Sequence, residues 1–362
     1  MNFFKQYPSN TYAGSCNNYM LFSENEREIT SRMFFRVIDH GEFPYRFFFR
    51  NIVDSTFSNG EKSQANRVGD PLMIKETKVG TCSASGNDIA MVEDIPMKSV
   101  TYDGNESITL DGGASVWTDE IVLDVEEGEY LVFQWTVSGK NIPYTPDKKF
   151  SCYVLSHGFW VPSNECPQPC LVGCDRPVNL RVAFWGDSIT QGCQTRDDLY
   201  EFWVAEIGKQ LPGVAVWNLG LGFGRAQDAA TLGAWFDKAK EYDFVSLCFG
   251  VNDTREIADT QKICGYLRTV VTALKEHGVR VGIFTLPPCS YAPAREKIWR
   301  ECCDYIKNEL SGDCEYCFDT VRVWGLEPPF DHMARWNAHP NAVGCKLLAD
   351  TFIKEHGHIF RE

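Results

Sequence analysis

RVAFWGDSITQG, residues 181–192, decides how the second half of the chain is read. Val182 to Trp185 form an apolar run with no alternation, the pattern of a strand buried on both faces of a parallel sheet. Gly186, Asp187 and Ser188 break that run where a strand stops and a helix could start. A serine at such a turn can be exposed, and its own backbone N–H can face a bound oxyanion. Taken alone, GDS is equally a turn or a helix cap, so its meaning depends on its surroundings.

Downstream the same grammar recurs. VAVWNLG (214–220), FVSLCFG (244–250) and VRVGIFTLP (279–287) read as further buried strands. Amphipathic stretches lie between them. In DLYEFWVAEIGKQL (198–211), Leu199, Trp203, Ile207 and Leu211 recur every four residues, which predicts one face of a helix. KICGYLRTVVTALKEHG (262–278) ends on Gly278 in the position of a helix C-terminal glycine. PNAVGCKLLADTFIKEHG (340–357) reads as a last helix opened by Pro340, a favoured first-turn residue. This is an α/β layered domain over residues 176–362, whose functional groups should gather at the carboxyl ends of its strands. Three loops fit that place. NLGLGFG (218–224) has three glycines that permit close backbone approach to a ligand, while the dinucleotide-binding order GxGxxG is absent. GVND (250–253) offers the uncharged amide of Asn252, or an ordinary Asx-turn. His339 precedes the last helix.

Upstream the period changes. RMFFRVI (32–38), YRFFFRNIV (45–53), LMIKETKVG (72–80), IAMVEDI (89–95), SITLDGG (107–113) and CYVLSHGFWV (152–161) are short, aromatic or β-branched, and bounded by polar or Gly/Pro stretches. In EIVLDV (120–125), Ile121, Leu123 and Val125 alternate with Val122, Asp124 and the flanking acids, giving a strand with one buried face. EEG (126–128) and SGKN (138–141) read as turns. Residues 1–175 are therefore expected to be a β-sandwich. CPQPCLVGCDRPVN (166–179) is the expected linker.

The 362 residues suit two domains. A formal charge of −14 disfavours a nucleic-acid backbone as partner. No apolar run is long enough to span a membrane, and the N-terminal stretch lacks a signal peptide's h-region. A cytoplasmic protein is expected, with no nucleic-acid or membrane partner. Its 15 cysteines are read as free thiols of a reducing compartment rather than a disulfide scaffold. Cys166, Cys170 and Cys174, and the pair Cys314 and Cys317, each fall short of four zinc ligands at recognisable spacing, so no metal or cofactor is implied.

Ser188 in GDS, the 222–224 loop, Asn252 in GVND and His339 in RWNAHPNAVG (335–344) together resemble the blocks of the SGNH (GDSL-type) hydrolase family, over roughly residues 180–350. The resemblance implies a flavodoxin-like α/β fold and a serine esterase without cofactor. It implies Ser188 as nucleophile and His339 as base. The oxyanion donors would be the Ser188 N–H, a loop N–H and the Asn252 amide. Two positions depart from the family. Its loop glycine aligns with Phe223, so that Gly222, Phe223 or Gly224 can supply the N–H. Its aspartate three residues before the histidine aligns with Trp336. A backbone carbonyl at Trp336, Asp331 or, more distantly, Glu327 could orient the imidazole instead. Asp187 and Asp253 are read as structural.

The β-rich front resembles, more weakly, the jelly-roll-like domain that precedes the catalytic domain in carbohydrate esterase family 2, some of whose members use a Ser–His dyad. This implies removal of small acyl groups, above all acetyl, from a sugar or oligosaccharide ester. A lipase, thioesterase or lysophospholipase of the same fold is the alternative within the class, and a non-catalytic carbohydrate-binding protein the alternative outside it. Trp117, Trp160, Trp324 and Trp336 are candidate sugar platforms.

Overall fold

The computed structural model describes residues 2–57, 63–83, 95–146, 148–325 and 339–361. The chain divides into two compact units, Met1–Pro177 with Asp197–Leu199, and Val178–Arg196 with Tyr200–Glu362.

In the second unit, five strands form one sheet: Leu180–Gly186, Val214–Asn218, Phe244–Cys248, Arg280–Phe284 and Tyr316–Phe318. Every pairing is parallel, and the order along the sheet is second, first, third, fourth, fifth. Val182, Ala183, Phe184 and Trp185 are fully buried, as the unbroken apolar run requires of a strand covered on both faces. The order reverses beside the first strand. In such sheets the loops leaving the first and third strands part there and open a crevice for ligands. Those loops are GDS and GVND.

Helices fill the crossovers. Thr260–Glu276 buries Ile263, Leu267, Val270, Val271 and Leu274, and Gly278 follows it at φ +74, the left-handed stop that its position predicted. The other two helical readings need correction. Residues 198–211 form a helix only over Trp203–Gly208. Asp198 and Tyr200 adopt positive φ, which no helix tolerates, and Leu199 is exposed; Trp203, Ile207 and Leu211 remain buried. The last helix is Ala342–His356, and Asn341 caps it by accepting a hydrogen bond from the Gly344 N–H at 3.0 Å. Pro340 thus precedes the helix instead of opening it, because the Asn341 side chain sets the N-cap one residue after the proline.

The first unit holds two main antiparallel sheets. One is built on the long strands Tyr19–Arg36, Glu129–Tyr144 and Leu72–Ser83, with Ser151–Ser156 and Phe159–Pro162 beyond the first of these. The other is built on Gly41–Arg50, flanked by Leu171–Cys174, Ser115–Trp117 and Ile121–Val125. Phe47 meets Phe133 and Phe49 meets Trp135 between the sheets, with ring centroids 4.7 and 5.2 Å apart, so this unit is a sandwich with an aromatic core. Leu123 and Val125 are buried while Val122 and Asp124 are exposed, the alternation EIVLDV shows.

Three expectations fail here. SGKN is no turn: it lies inside Glu129–Tyr144, and the irregularity is on the partner strand, where the register shifts between Phe22 and Arg27. The supposed linker carries the buried strand Leu171–Cys174, paired with Tyr45–Phe48; proline and cysteine around it mask a short edge strand. The cysteines are not all free, since Cys166 is disulfide-bonded to Cys152, while Cys170 and Cys174 are buried thiols. Sequence spacing could not pair them, because Cys152 lies in the strand Ser151–Ser156 and Cys166 in the irregular segment after Phe159–Pro162. Of IAMVEDI, only Ile95 falls within the described residues.

Gly250 tests how tightly the third strand's exit is built. Its φ is +117, and a Cβ there would meet Leu286 Cγ at 2.3 Å. Gly250→Ala is expected to lose about 2–4 kcal/mol of stability from backbone strain and overpacking together. Urea denaturation measures it, and an unshifted midpoint would refute the packing described here.

Candidate active site

The first strand ends at Gly186, where a Cβ would meet Thr190 Oγ1 at 2.1 Å and the Cys248 carbonyl at 2.4 Å. Only glycine lets the chain turn so closely over the third strand. Asp187 then caps the single helical turn Ser188–Gln191, its carboxylate accepting the Ile189 N–H at 2.9 Å. The turn ends at Gly192, at φ +102. Ser188 is left half-buried at the strand end, with Oγ 2.7 Å from His339 Nε2. For Nε2 to accept the hydroxyl proton, the neutral imidazole must carry its own proton on Nδ1. His339 stands two residues before the Asn341 cap, and the helix behind it is held by the Trp324 indole N–H, which donates to the Gly344 carbonyl at 3.0 Å.

The glycine loop is stitched to this turn. Asn218 Oδ1 accepts the Gly220 N–H at 2.9 Å. The Leu221 N–H lies 3.1 and 3.2 Å from the carbonyls of Gly186 and Asp187. The Gly224 N–H donates to the Leu221 carbonyl at 2.9 Å, closing a four-residue turn with Gly222 and Phe223 at its apex. Gly224 is thereby removed from the three candidates for the loop donor, since its N–H is committed within the turn. Phe223 takes φ +62, the left-handed region that turns reserve for glycine, at a cost of about 1–2 kcal/mol. The Gly224 carbonyl accepts an N–H of the Asn252 amide at 3.0 Å. An amide carries two such donors, and one of them holds the loop. Asn252 lies in the helix Val251–Glu256.

Buried carboxyls hold the backbone beneath. Asp253 accepts the N–H groups of Ala226 and Gln227 at 2.9 and 3.1 Å. Burial pushes its carboxyl up to about 6, against those hydrogen bonds. Burial likewise pushes Asp187 up to about 7, with the nearby Asp253 charge adding to the rise. Sequence reading missed a brace beside them. Arg225, fully buried, donates from Nε and Nη2 to Asp228 Oδ2 at 2.8 and 2.6 Å, and from Nη1 to Glu256 at 3.2 and 3.1 Å. It ties the end of the glycine loop to the Asn252 helix. Nothing in its sequence spacing marks it.

The tryptophan candidates separate. Trp324 is buried and bonded as described, so it offers no face to a sugar. Trp117 packs against Phe3, Phe4 and Phe48, and the Arg32 guanidinium lies over the Trp160 ring at 4.2 Å. Trp336, Asp331 and Glu327 lie outside the described residues. Among the described residues no group of three or more His, Cys, Asp or Glu is placed to hold a metal ion, and no helix is long and apolar enough to cross a membrane.

Residues 184–347 match the GDSL-like Lipase/Acylhydrolase family, a span that contains Ser188, Gly222, Phe223, Asn252 and His339. Solved structures align with about half of the chain. A member of the lipolytic protein G-D-S-L family from Veillonella parvula is 18% identical, over 49% of this chain and 98% of its own, with a TM-score of 0.42. A psychrotrophic esterase from Pseudoalteromonas sp. is 14% identical, over 51% and 100%, at 0.42. An acetyl xylan esterase from Geobacillus stearothermophilus is 21% identical, over 49% and 94%, at 0.40. No curated protein matches the chain.

The two buried carboxyls give stability a pH dependence. Each keeps its proton to higher pH when folded than the ordinary value near 3.9 that it has when unfolded. The folded state therefore binds more protons between about pH 4 and 7, and stability falls as pH rises through that window. Asp187→Asn retains an acceptor for the Ile189 N–H and removes one titration. The fall between pH 5 and 7 should become shallower by up to about 1.4 kcal/mol per pH unit. Chemical denaturation at several pH values reads this, and identical slopes in both proteins would contradict a buried, raised Asp187.

Proposed function

We propose that the chain, a serine hydrolase whose residues 184–347 belong to the GDSL-like lipase/acylhydrolase family, removes small acyl groups, above all acetyl, from carbohydrate esters. The observation that carries the reading is the 2.7 Å contact between Ser188 Oγ and His339 Nε2, made at the carboxyl end of the first parallel strand. A neutral imidazole in that position takes the hydroxyl proton as Oγ attacks the ester carbonyl. The proton then passes to the departing alcohol, leaving an acyl group on Ser188. Water, deprotonated by the same imidazole, attacks the acyl carbonyl and releases the acid.

The negative oxygen of each tetrahedral intermediate lies among three donors in this reading: the Ser188 N–H, an N–H from Gly222 or Phe223, and the second N–H of the Asn252 amide. Donors fixed before the reaction need no reorganisation as charge develops. The hydrogen bonds from the Leu221 N–H to the Gly186 and Asp187 carbonyls, and from the Asn252 amide to the Gly224 carbonyl, supply that fixity.

Small acyl groups and sugar alcohols are read from the order of the two units, a β-rich front resembling the jelly-roll-like accessory domain of carbohydrate esterase family 2, followed by the hydrolase. The same resemblance accounts for Trp336 in place of the family's aspartate, with a backbone carbonyl near Trp336 orienting His339. A carbonyl fixes the tautomer but brings no full charge to stabilise the imidazolium, so turnover should be slower than with a complete triad, though sustained by the oxyanion donors.

Three substitutions test the reading. Ser188→Ala should abolish ester turnover with the fold intact. Asn252→Ala should lower kcat about 10²–10³-fold, the usual effect of deleting one oxyanion donor. Asp331→Asn should lower kcat/KM by less than about tenfold, roughly 1.4 kcal/mol. Steady-state hydrolysis of acetate esters measures all three. A thousandfold loss in Asp331→Asn, with the acidic limb of the pH–rate profile displaced, would place Asp331 in a triad.

A further inference from the structure

Phe223 combines two features that are unusual in one residue. Its backbone is left-handed, at φ +62, in a turn position that glycine ordinarily fills. Its side chain, large and apolar, keeps 46% of its surface exposed. A non-glycine residue persists in such a conformation only where the surrounding structure over-determines it. The enforcement is visible on both sides. Leu221, two residues earlier, is bonded to the backbone of Gly186 and Asp187. Gly224, one residue later, closes the turn on Leu221 and holds the Asn252 amide. The loop cannot relax inward either, since a Cβ on Gly224 would already meet Trp235 Cη2 at 2.6 Å.

An oxyanion donor alone does not explain a phenylalanine here. The donor is a backbone N–H, which glycine supplies equally and without strain. What phenylalanine adds is a ring, carried on the loop that joins the nucleophile turn to Asn252. We propose that the Phe223 ring is a specificity element, the platform against which the sugar of the ester lies while its acyl carbonyl sits at Ser188. A pyranose presents a face of C–H groups. An aromatic ring offers that face apolar area and the negative side of its quadrupole. A small aliphatic alcohol has no such face and gains little from the ring. The inference rests on the carbohydrate-ester reading and adds the residue that would select the sugar.

Two variants separate the ring from the N–H. Phe223→Gly keeps the N–H and suits the left-handed backbone. Phe223→Leu keeps the N–H and apolar bulk without a ring. The readout is the ratio of kcat/KM on acetylated xylo-oligosaccharides to kcat/KM on ethyl acetate, followed by acid release at constant pH. Any disturbance of the oxyanion donors lowers both substrates together and leaves the ratio alone. Both variants should melt cooperatively and shift the ratio at least tenfold against the sugar ester, mainly through KM. An unchanged ratio, whether both rates hold or both fall, would overturn the proposal while leaving the carbohydrate-ester reading in place. A native protein that hydrolyses ethyl acetate but no acetylated sugar would remove that reading, and the proposal with it.

Discussion

The hydrogen bond between Ser188 Oγ and His339 Nε2 joins two side chains 151 residues apart. Most of the α/β unit lies between them in the chain. Both ends are tied to secondary structure. Ser188 is held by a one-turn helix that Asp187 caps and that Gly186 brings close over the third strand. His339 precedes the Asn341 cap of a helix anchored through Trp324. A shift of about 1 Å at either end would open the contact beyond hydrogen-bond reach, and misplacement on that scale can reduce catalysis a hundredfold. The parallel sheet serves this contact. It sets the first and third strands side by side, so that their exits converge where the order of strands reverses.

Rigidity beneath the site comes from buried polar groups rather than from apolar packing alone. Asp253 takes two backbone N–H groups from the segment after the glycine loop, and Arg225 braces the same segment against Glu256. Buried charge is unfavourable unless paired and hydrogen-bonded. Burial raises the carboxyls of Asp187 and Asp253 there, against the backbone hydrogen bonds they accept. The left-handed Phe223 adds backbone strain in the neighbouring loop. These are local conflicts of the kind that concentrate at functional sites.

The parts legible in the sequence were those with a strong local signature. Four of the five parallel strands announce themselves as apolar runs, and Gly278 and the alternation of EIVLDV read correctly from period and residue type. The fifth strand, Tyr316–Phe318, is three residues long, too short for any period to register. The helix expected over 198–211 fails at its start because positive φ at Asp198 and Tyr200 is set by tertiary context. The strand within CPQPCLVGC hides among turn-forming residues, and its partner lies far away at Tyr45–Phe48. At the site, Ser188, Asn252 and His339 could be named only together, because their blocks in this order resemble those of the SGNH family, while each alone reads as an ordinary turn or cap. The loop was less legible: excluding Gly224 needed the hydrogen bond from its own N–H. Arg225 could not have been singled out, since an arginine three residues before an aspartate is ordinary on any helix.

The central claim is that Ser188 is activated by His339 to attack an acyl carbonyl. Its most direct test is labelling of the native protein with a fluorophosphonate, which reacts with an activated serine hydroxyl and leaves ordinary hydroxyls untouched. The account predicts one adduct per chain by intact mass, located on Ser188 by peptide sequencing, and no adduct when His339 is replaced by alanine. An adduct on another residue, or undiminished labelling of Ser188 without His339, would contradict it.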